Sequence, residues 1–243
     1  MSNLFPPHRL LTAAVVALAF AALGRRMRGV SSLGALVGAA IAFALYAGAG
    51  LGAFLALASV FVLAWTTTRL GLQRKRALGT AERHDGRSAS QVLANLGVAA
   101  GCALWYAVSA RNPVCLLALA AALAEAAADT VSSEVGQAWG STTRLITTWR
   151  TVPAGTDGGL SLPGTTAGIC AALLVSLVCG FTGLLPGRWL ALPAGAAIGG
   201  MLADSLLGAS LERRHWLTND QVNFLSTLAA AVLAWVIGSS ISG

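Results

Sequence analysis

The chain has 243 residues, 56% of them hydrophobic and 10% charged, with a formal net charge of +7 at neutral pH. Ordinary soluble domains carry about 25% charged residues. A water-soluble globular fold is therefore excluded, and a polytopic membrane protein with little soluble mass remains.

Apolar segments of roughly 17–22 residues recur along the chain, the length an α-helix needs to cross a hydrocarbon core. In chain order they cover residues 8–24, 29–48, 50–69, 91–110, 113–130, 164–185, 190–209 and 221–241. The first resembles the apolar core of a signal peptide. No strongly basic stretch precedes it, however, and Gly24-Arg25-Arg26 is a poor cleavage site, so it counts as a span.

Basic residues orient the bundle. With the N-terminus outside, the cytoplasmic loops hold thirteen of the sixteen Lys and Arg residues, leaving only Arg9, Arg111 and Arg188 outside. The positive charge is thus a topology signal, and no nucleic-acid partner is expected. The reading is an all-α fold: a polytopic transmembrane helix bundle of about eight spans, with N- and C-termini outside the cytoplasm. Residues 1–243 form a single integral membrane domain among the lipids of a prokaryotic plasma membrane, with cytoplasmic loops at about 70–90, 131–163 and 210–220. The oligomeric state stays open, a homo-oligomer included.

The nine acidic residues are Glu82, Asp85, Glu125, Asp129, Glu134, Asp157, Asp204, Glu212 and Asp220; all fall in a cytoplasmic loop or the cytoplasmic half of a span. The positive-inside rule concerns Lys and Arg and does not demand this. Polar chemistry is therefore concentrated on one face. Cys102, Cys115, Cys170 and Cys179 lie inside spans without metal-type spacing and read as small core hydrophobes. Gly34/Gly38, Gly97/Gly101 and Gly195/Gly199 are small-xxx-small pairs and read as sites of close helix packing.

Four cytoplasmic stretches carry the remaining signal. In residues 83–97, Arg83, His84 and Arg87 suit phosphate, because the guanidinium fork donates two parallel hydrogen bonds. Gln91 and Asn95 follow one helical turn apart on one face. The neighbouring Arg74-Lys75-Arg76 reads instead as a flank for anionic headgroups. In residues 122–140, Glu125 and Asp129 share a helix face, with Glu134 beyond them. An acid in or near a membrane span is a functional-site candidate by default, against the plainer reading of an interfacial carboxylate paired with Arg.

In residues 152–168, Gly155, Gly158 and Gly159 with Thr156, Ser161 and Thr165 make a flexible loop rich in N–H donors and hydroxyls. It runs into a helix N-terminus near Gly164, where free N–H groups and the dipole favour an anion. The fourth stretch, residues 199–227, has Asp204 and Ser205 near the end of span 7, and Asn219 and Asn223 at i, i+4 opening span 8.

Taken together, Gln91-Val-Leu-Ala-Asn95, Ala128-Asp129-Thr-x-x-x-Glu134-x-Gly136, Pro153-x-Gly155-Thr156-x-Gly158-Gly159-x-Ser161, Asp204-Ser-Leu-Leu-Gly208-Ala-x-Leu211 and Asn219-x-x-Val222-Asn223-x-x-Ser226 resemble the phytyl-phosphate kinase / transmembrane protein 19 family. The motifs occur in order over nearly the whole chain. The resemblance implies a kinase that converts an isoprenoid monophosphate to the diphosphate at the expense of a nucleoside triphosphate, CTP or ATP.

Such chemistry needs positioning and charge neutralisation more than covalent help. Mg²⁺ is typically held by one or two carboxylates plus phosphate oxygens, a role that falls to Asp129 and Asp204, with Glu134 as a third ligand. Arg87 and the glycine loop are expected to hold phosphates, assisted by Arg83, Gln91, Asn95, Asn219 and Asn223. The acceptor is already largely dianionic near neutral pH, its second pKa being about 6, so no histidine is required. The alternative is a transporter or flippase of prenyl phosphates or lipid-linked carriers, which needs a path across the bilayer. A CDP-alcohol phosphotransferase is excluded, because Asp85-Gly86-Arg87 and Asp157-Gly158-Gly159 do not continue into its motif.

Overall fold

The computed structural model describes residues 6–242, the side chain of Ser242 excepted. Eight helices among the described residues are long and apolar enough to cross a membrane. Where their lengths come from is visible in the sequence. α1 (Pro7–Arg26) has proline in its first turn and arginines in its last, the preferred ends of the helix dipole. α2 (Ser32–Ala49) starts at Ser31, whose hydroxyl accepts from Gly34 N, and stops at Gly50 with φ 90°. α3 (Leu51–Arg69) follows at once. α5 (Ala89–Val108) opens on a full capping box, in which Ser88 and Gln91 satisfy each other's backbone N–H.

Between α3 and α5 lies a short helix, α4 (Leu72–Leu78), that hydrophobic periodicity did not announce. Two residues of the basic run expected as a lipid flank are instead tied into the protein. Lys75 is 1% exposed; its Nζ donates to Thr67 O and Thr68 O at the end of α3 and pairs with Glu134 at 2.6 Å. Arg74 donates to Ala138 O and Gly140 O.

α6 (Val114–Trp139) is the second correction. The sequence put the fifth span at 113–130, but the helix runs 26 residues, roughly 39 Å at 1.5 Å per residue. Every residue from Val114 to Ala128 is buried, because α3, α5 and three later helices pack around it. These partners allow the polar segment Val131–Trp139 to stay helical.

The chain then forms a small antiparallel sheet, β1 (Thr143–Leu145), β2 (Thr151–Val152) and β3 (Gly159–Ser161), in the order β2-β1-β3. Thr143 pairs with both Val152 and Ser161. The glycine stretch expected as a flexible loop is thus tied into a sheet. Gly155 and Gly158 take the positive φ that its turns require. α7 (Leu162–Phe181), α8 (Ala191–Ser210) and α9 (Asn219–Ser242) complete the bundle.

Close helix approach occurs at an i, i+4 pair other than the three expected. A Cβ on Gly164 would strike Ser132 O of α6, and one on Gly168 would strike Ala128 O. Lipid is as apolar as Leu, so small residues that let backbones meet are what holds such helices together. Of the expected pairs, Gly34 is crowded and Gly199 touches Leu233, and Gly97 meets only Leu93 of its own helix, whereas Gly38, Gly101 and Gly195 face open space. The exposed surface carries large apolar side chains such as Leu11, Leu18, Leu36 and Phe181, which suits lipid contact.

An even number of crossings returns both ends of a chain to one side of the membrane. The charge asymmetry predicts that a reporter fused at Gly243 is active outside the cytoplasm and one in the 70–87 segment inside it. A cytoplasmic C-terminus would overturn the orientation.

Candidate functional site

At the end of the bundle that carries α4 and the sheet, a polar pocket of about 280 Å³ collects side chains from four helices and the sheet. α6 supplies Asp129 and Thr130, and α5 with its preceding loop supplies Arg87, Gln91 and Asn95. α8 supplies Asp204 and Gly208, α9 supplies Asn219 and Asn223, and the sheet supplies Gly155, Thr156, Gly158, Gly159 and Ser161. Stretches more than a hundred residues apart thus meet in one place.

The carboxyl groups of Asp129 and Asp204 lie side by side. The Arg87 guanidinium is the cation beside Asp129; both of its terminal nitrogens approach Thr130 Oγ1 at 3.4 Å, and its Nε stands 4.0 Å from Glu82. Backbone contacts fix Arg87 as well. Its N donates to Gly29 O and its O accepts from Ser31 N, tying it to the α1–α2 turn. Asp204 Oδ2 is buried and has no hydrogen-bond partner among the described residues.

Deeper in α6, Glu125 is 1% exposed, and its Oε1 likewise lacks a partner among the described residues. The expected interfacial Arg is not what it faces; the neighbours are Asp129, Asp204 and the Ser226 hydroxyl, whose proton goes to Asn223 O. Gly200 makes room for it, since a Cβ there would strike Glu125 Cγ.

Other sequence-predicted residues have different settings. Glu134 lines the pocket, but both its oxygens are engaged, Oε1 by the Thr68 hydroxyl and Oε2 by Lys75. Ser161 is the N-cap of α7 and accepts from Gly164 N, so the helix end expected to attract an anion is already capped. Thr165 sits on the first turn of α7, outside the pocket lining. Gln91 uses its Oε1 on Ser88 N, and the Asn95 amide donates to Gln91 O. Gly158 presses against α8, where a Cβ would strike Ser205 O and Ala209. The sheet turn therefore abuts the helix bearing Asp204.

Arg83 is exposed and lies on a second cavity. This chamber, about 520 Å³, is walled by apolar residues including Phe20, Leu57, Val60, Phe61, Val92 and Leu96. Its rim carries Arg28, Arg69, Arg76, Arg83 and His84. Arg69 stacks over Trp65 at 4.0 Å and donates to Met27 O at 2.8 Å, and Arg28 meets His84 at 3.2 Å. Glu82, Arg87, Gln91 and Asn95 line both cavities and so mark where they join.

This arrangement can hold an amphiphile with an anionic head and an apolar tail beside a polar, acidic pocket. The profile of the integral membrane protein DUF92 family matches residues 15–231. The chain belongs to this family.

Its DUF92 relatives are widely spread. An uncharacterized membrane protein of Methanocaldococcus jannaschii is 33% identical over 231 residues, covering 94% of each chain. An uncharacterized membrane protein of Synechocystis is 34% identical over 194 residues, 78% of this chain and 75% of the relative. The chloroplastic protein VTE6 of Arabidopsis thaliana is 32% identical over 194 residues, 76% of this chain. The match spans 58% of the length of VTE6. No solved structure matches the chain.

Several residues of the pocket were given no role from the sequence. Thr130, Ser132, Ser133 and Gln137 continue the polar face of α6, while Asp157 and Glu212 add acids, Glu212 hydrogen-bonded by Asn219. A signal for Glu212 was present. Asp204, Gly208 and Glu212 are spaced by four, which keeps them near one helix face. The apolar chamber left no such signal, because a lipid-facing wall and a chamber wall have the same composition.

Proposed function

We propose that the chain is a membrane-embedded prenyl-phosphate kinase, transferring the terminal phosphoryl group of CTP or ATP to an isoprenoid monophosphate on the cytoplasmic face. The observation that carries this reading is the junction of an apolar, basic-rimmed chamber with an acidic, polar pocket at Arg87, Gln91 and Asn95. The substrates differ in the same way, one an anionic lipid and the other a soluble nucleotide. The likeness to VTE6 and the family motifs in the sequence support the same reading.

In this scheme the tail lies among Phe20, Phe61 and Leu96, and the acceptor phosphate reaches Arg87. The nucleotide occupies the pocket between the 155–159 turn and α9. An acceptor phosphate oxygen forms the new bond to the terminal phosphorus as the bond to the bridging oxygen of the nucleoside diphosphate breaks. The acceptor is dianionic, its second pKa being about 6, so no proton has to be removed. Thr130 and Glu82 hold the Arg87 fork at the junction.

The residues present fit Mg²⁺. Asp204 has an unpartnered buried oxygen with Asp129 beside it. Mg²⁺ is typically held by one or two carboxylates plus phosphate oxygens, and these two aspartates supply the carboxylates. Bound there, Mg²⁺ would neutralise charge on the phosphoryl oxygens. Glu134, occupied by Lys75 and Thr68, we place outside the ligand set.

The test is incubation of the purified protein with prenyl monophosphates, each nucleoside triphosphate and Mg²⁺, following diphosphate formation. Transport of the lipid across vesicles without any diphosphate would replace this reading by the flippase. Arg87→Lys keeps the charge but loses the planar fork; it is expected to raise the acceptor KM by about 10-fold, near the 1.4 kcal/mol that separates one decade. Unchanged constants in both Arg87→Lys and Arg87→Ala would remove Arg87 from the site.

A further inference from the structure

α2 contains two glycines one turn apart on the same face, Gly34 and Gly38. Gly34 is needed for contact, since a Cβ there would strike Arg87 O, Ser31 Oγ and Val30. Gly38 has no such reason. A Cβ on it would meet nothing within 4 Å, and it is not among the residues with positive φ. Glycine inside a helix is unfavourable relative to alanine, so neither packing nor backbone conformation accounts for it. Gly38 does, however, line the apolar chamber.

Helix rise gives its depth. On α3 the chamber wall runs from Arg69 at the rim to Leu57, roughly 18 Å at 1.5 Å per residue. Gly38 lies about 9 Å along α2 from Ser32, at the same end of the bundle as the rim. It therefore stands near mid-depth. A side chain at 38 would project into the lumen there and leave only the upper part open.

We propose that Gly38 is the specificity-determining residue for tail length: its missing side chain admits an isoprenoid tail past the middle of the chamber, and any larger residue shortens the tail accepted. The inference rests on the reading that the chamber holds the acceptor's tail. The occupant is a monophosphorylated isoprenoid, because the cationic rim of Arg28, Arg69, Arg76 and Arg83 complements a dianionic head and the walls below it are apolar.

The test is binding, read separately from turnover. Dimethylallyl, geranyl and geranylgeranyl monophosphate are titrated into the purified full chain in detergent, with calorimetry and intrinsic tryptophan fluorescence, to which Trp65 in the chamber wall contributes, as readouts. Gly38→Leu is compared with Gly38→Ala and with Gly101→Leu, a control on α5 that also has open space at its Cβ but does not line the chamber. All three replacements favour helix, so folding is expected to be kept, and melting curves check it.

Gly38→Leu is expected to weaken geranylgeranyl monophosphate at least 10-fold while dimethylallyl monophosphate stays within 2-fold. Gly38→Ala should show a smaller loss in the same direction, and Gly101→Leu none. Equal effects on all lengths, or no effect of Gly38→Leu, overturn the inference even if the parent chain makes diphosphate. Length-selective loss without any diphosphate formation upholds the inference and overturns the kinase. If the parent chain binds none of the three, both fall.

Discussion

Asp129→Asn and Asp204→Asn are each expected to lower diphosphate formation by about 10²–10³-fold, the usual cost of removing one preorganised charge-stabilising group. Asn is nearly isosteric with Asp, and a neutral amide is cheaper to bury than a carboxylate. Both variants should therefore remain folded, with melting temperatures close to that of the parent. Asp129 and Asp204 lie side by side in one pocket, with Arg87 beside Asp129, so they are expected to act as a unit. The double variant should accordingly be little worse than either single one.

An Asp129 that served only to pair with Arg87 would give the opposite pattern, a lowered melting temperature with turnover retained. Mg²⁺ titrations on the same preparations sharpen the contrast. If either Asp variant keeps the parent's turnover and Mg²⁺ dependence, that residue leaves the proposed metal site.

Lys75→Met is expected to be the most destabilising single change outside the apolar core. Lys75 and Glu134 form a buried pair at 2.6 Å, with side chains 1% and 14% exposed. Removing one partner of such a pair typically costs about 3–5 kcal/mol, because the other charge stays buried without compensation. Here the loss is larger in scope than one pair. Lys75 Nζ also donates to Thr67 O and Thr68 O, carbonyls in the last turn of α3, of which Thr67 O accepts from Leu70 N as well. The melting temperature in detergent should fall by roughly 10 °C, taking 2–4 °C per kcal/mol for a chain of this size.

Lys75→Met combined with Glu134→Gln should recover part of the loss, since the stranded charge goes with it. That recovery also separates two roles for Glu134. A metal ligand would lose Mg²⁺ affinity on Glu134→Gln at full stability, whereas the partner of Lys75 loses stability at unchanged Mg²⁺ affinity. The contacts of its two oxygens with Thr68 and Lys75 favour the second.

Much of the site was legible because its residues sit in compact local motifs. Asp129, Asp204, Arg87, Asn95, Asn219 and Asn223, chosen from three separate stretches, all line one pocket. Their type and their position at the ends of apolar spans were enough to select them. Ser161 and Thr165 were selected on the same grounds; Ser161 lines the pocket, whereas Thr165 lies outside it. A serine preceding a helix serves equally as an anion contact or as an N-cap, and Ser161 is the cap. Arg83 went to the chamber rim, because a loop residue's direction depends on what the loop is anchored to.

The basic run on α4 failed for a related reason. Arg74-Lys75-Arg76 has the composition of a lipid-binding flank, but the partner of Lys75 lies 59 residues further along the chain. No local rule reaches that far.

The sequence by itself determined the eight spans and the one polar face, and its charge asymmetry sets the expected orientation. Hydropathy and charge are local sums, and a bilayer acts on each segment separately. Only the tertiary structure decided which apolar surface faces what. Lipid, a neighbouring helix and a chamber wall all accept the same side chains. Thus Gly34 and Gly38, identical in the sequence, became a backbone contact and an open space. Likewise the fifth span became the buried centre of the bundle, because five helices cover it and bring distant carboxylates to its end.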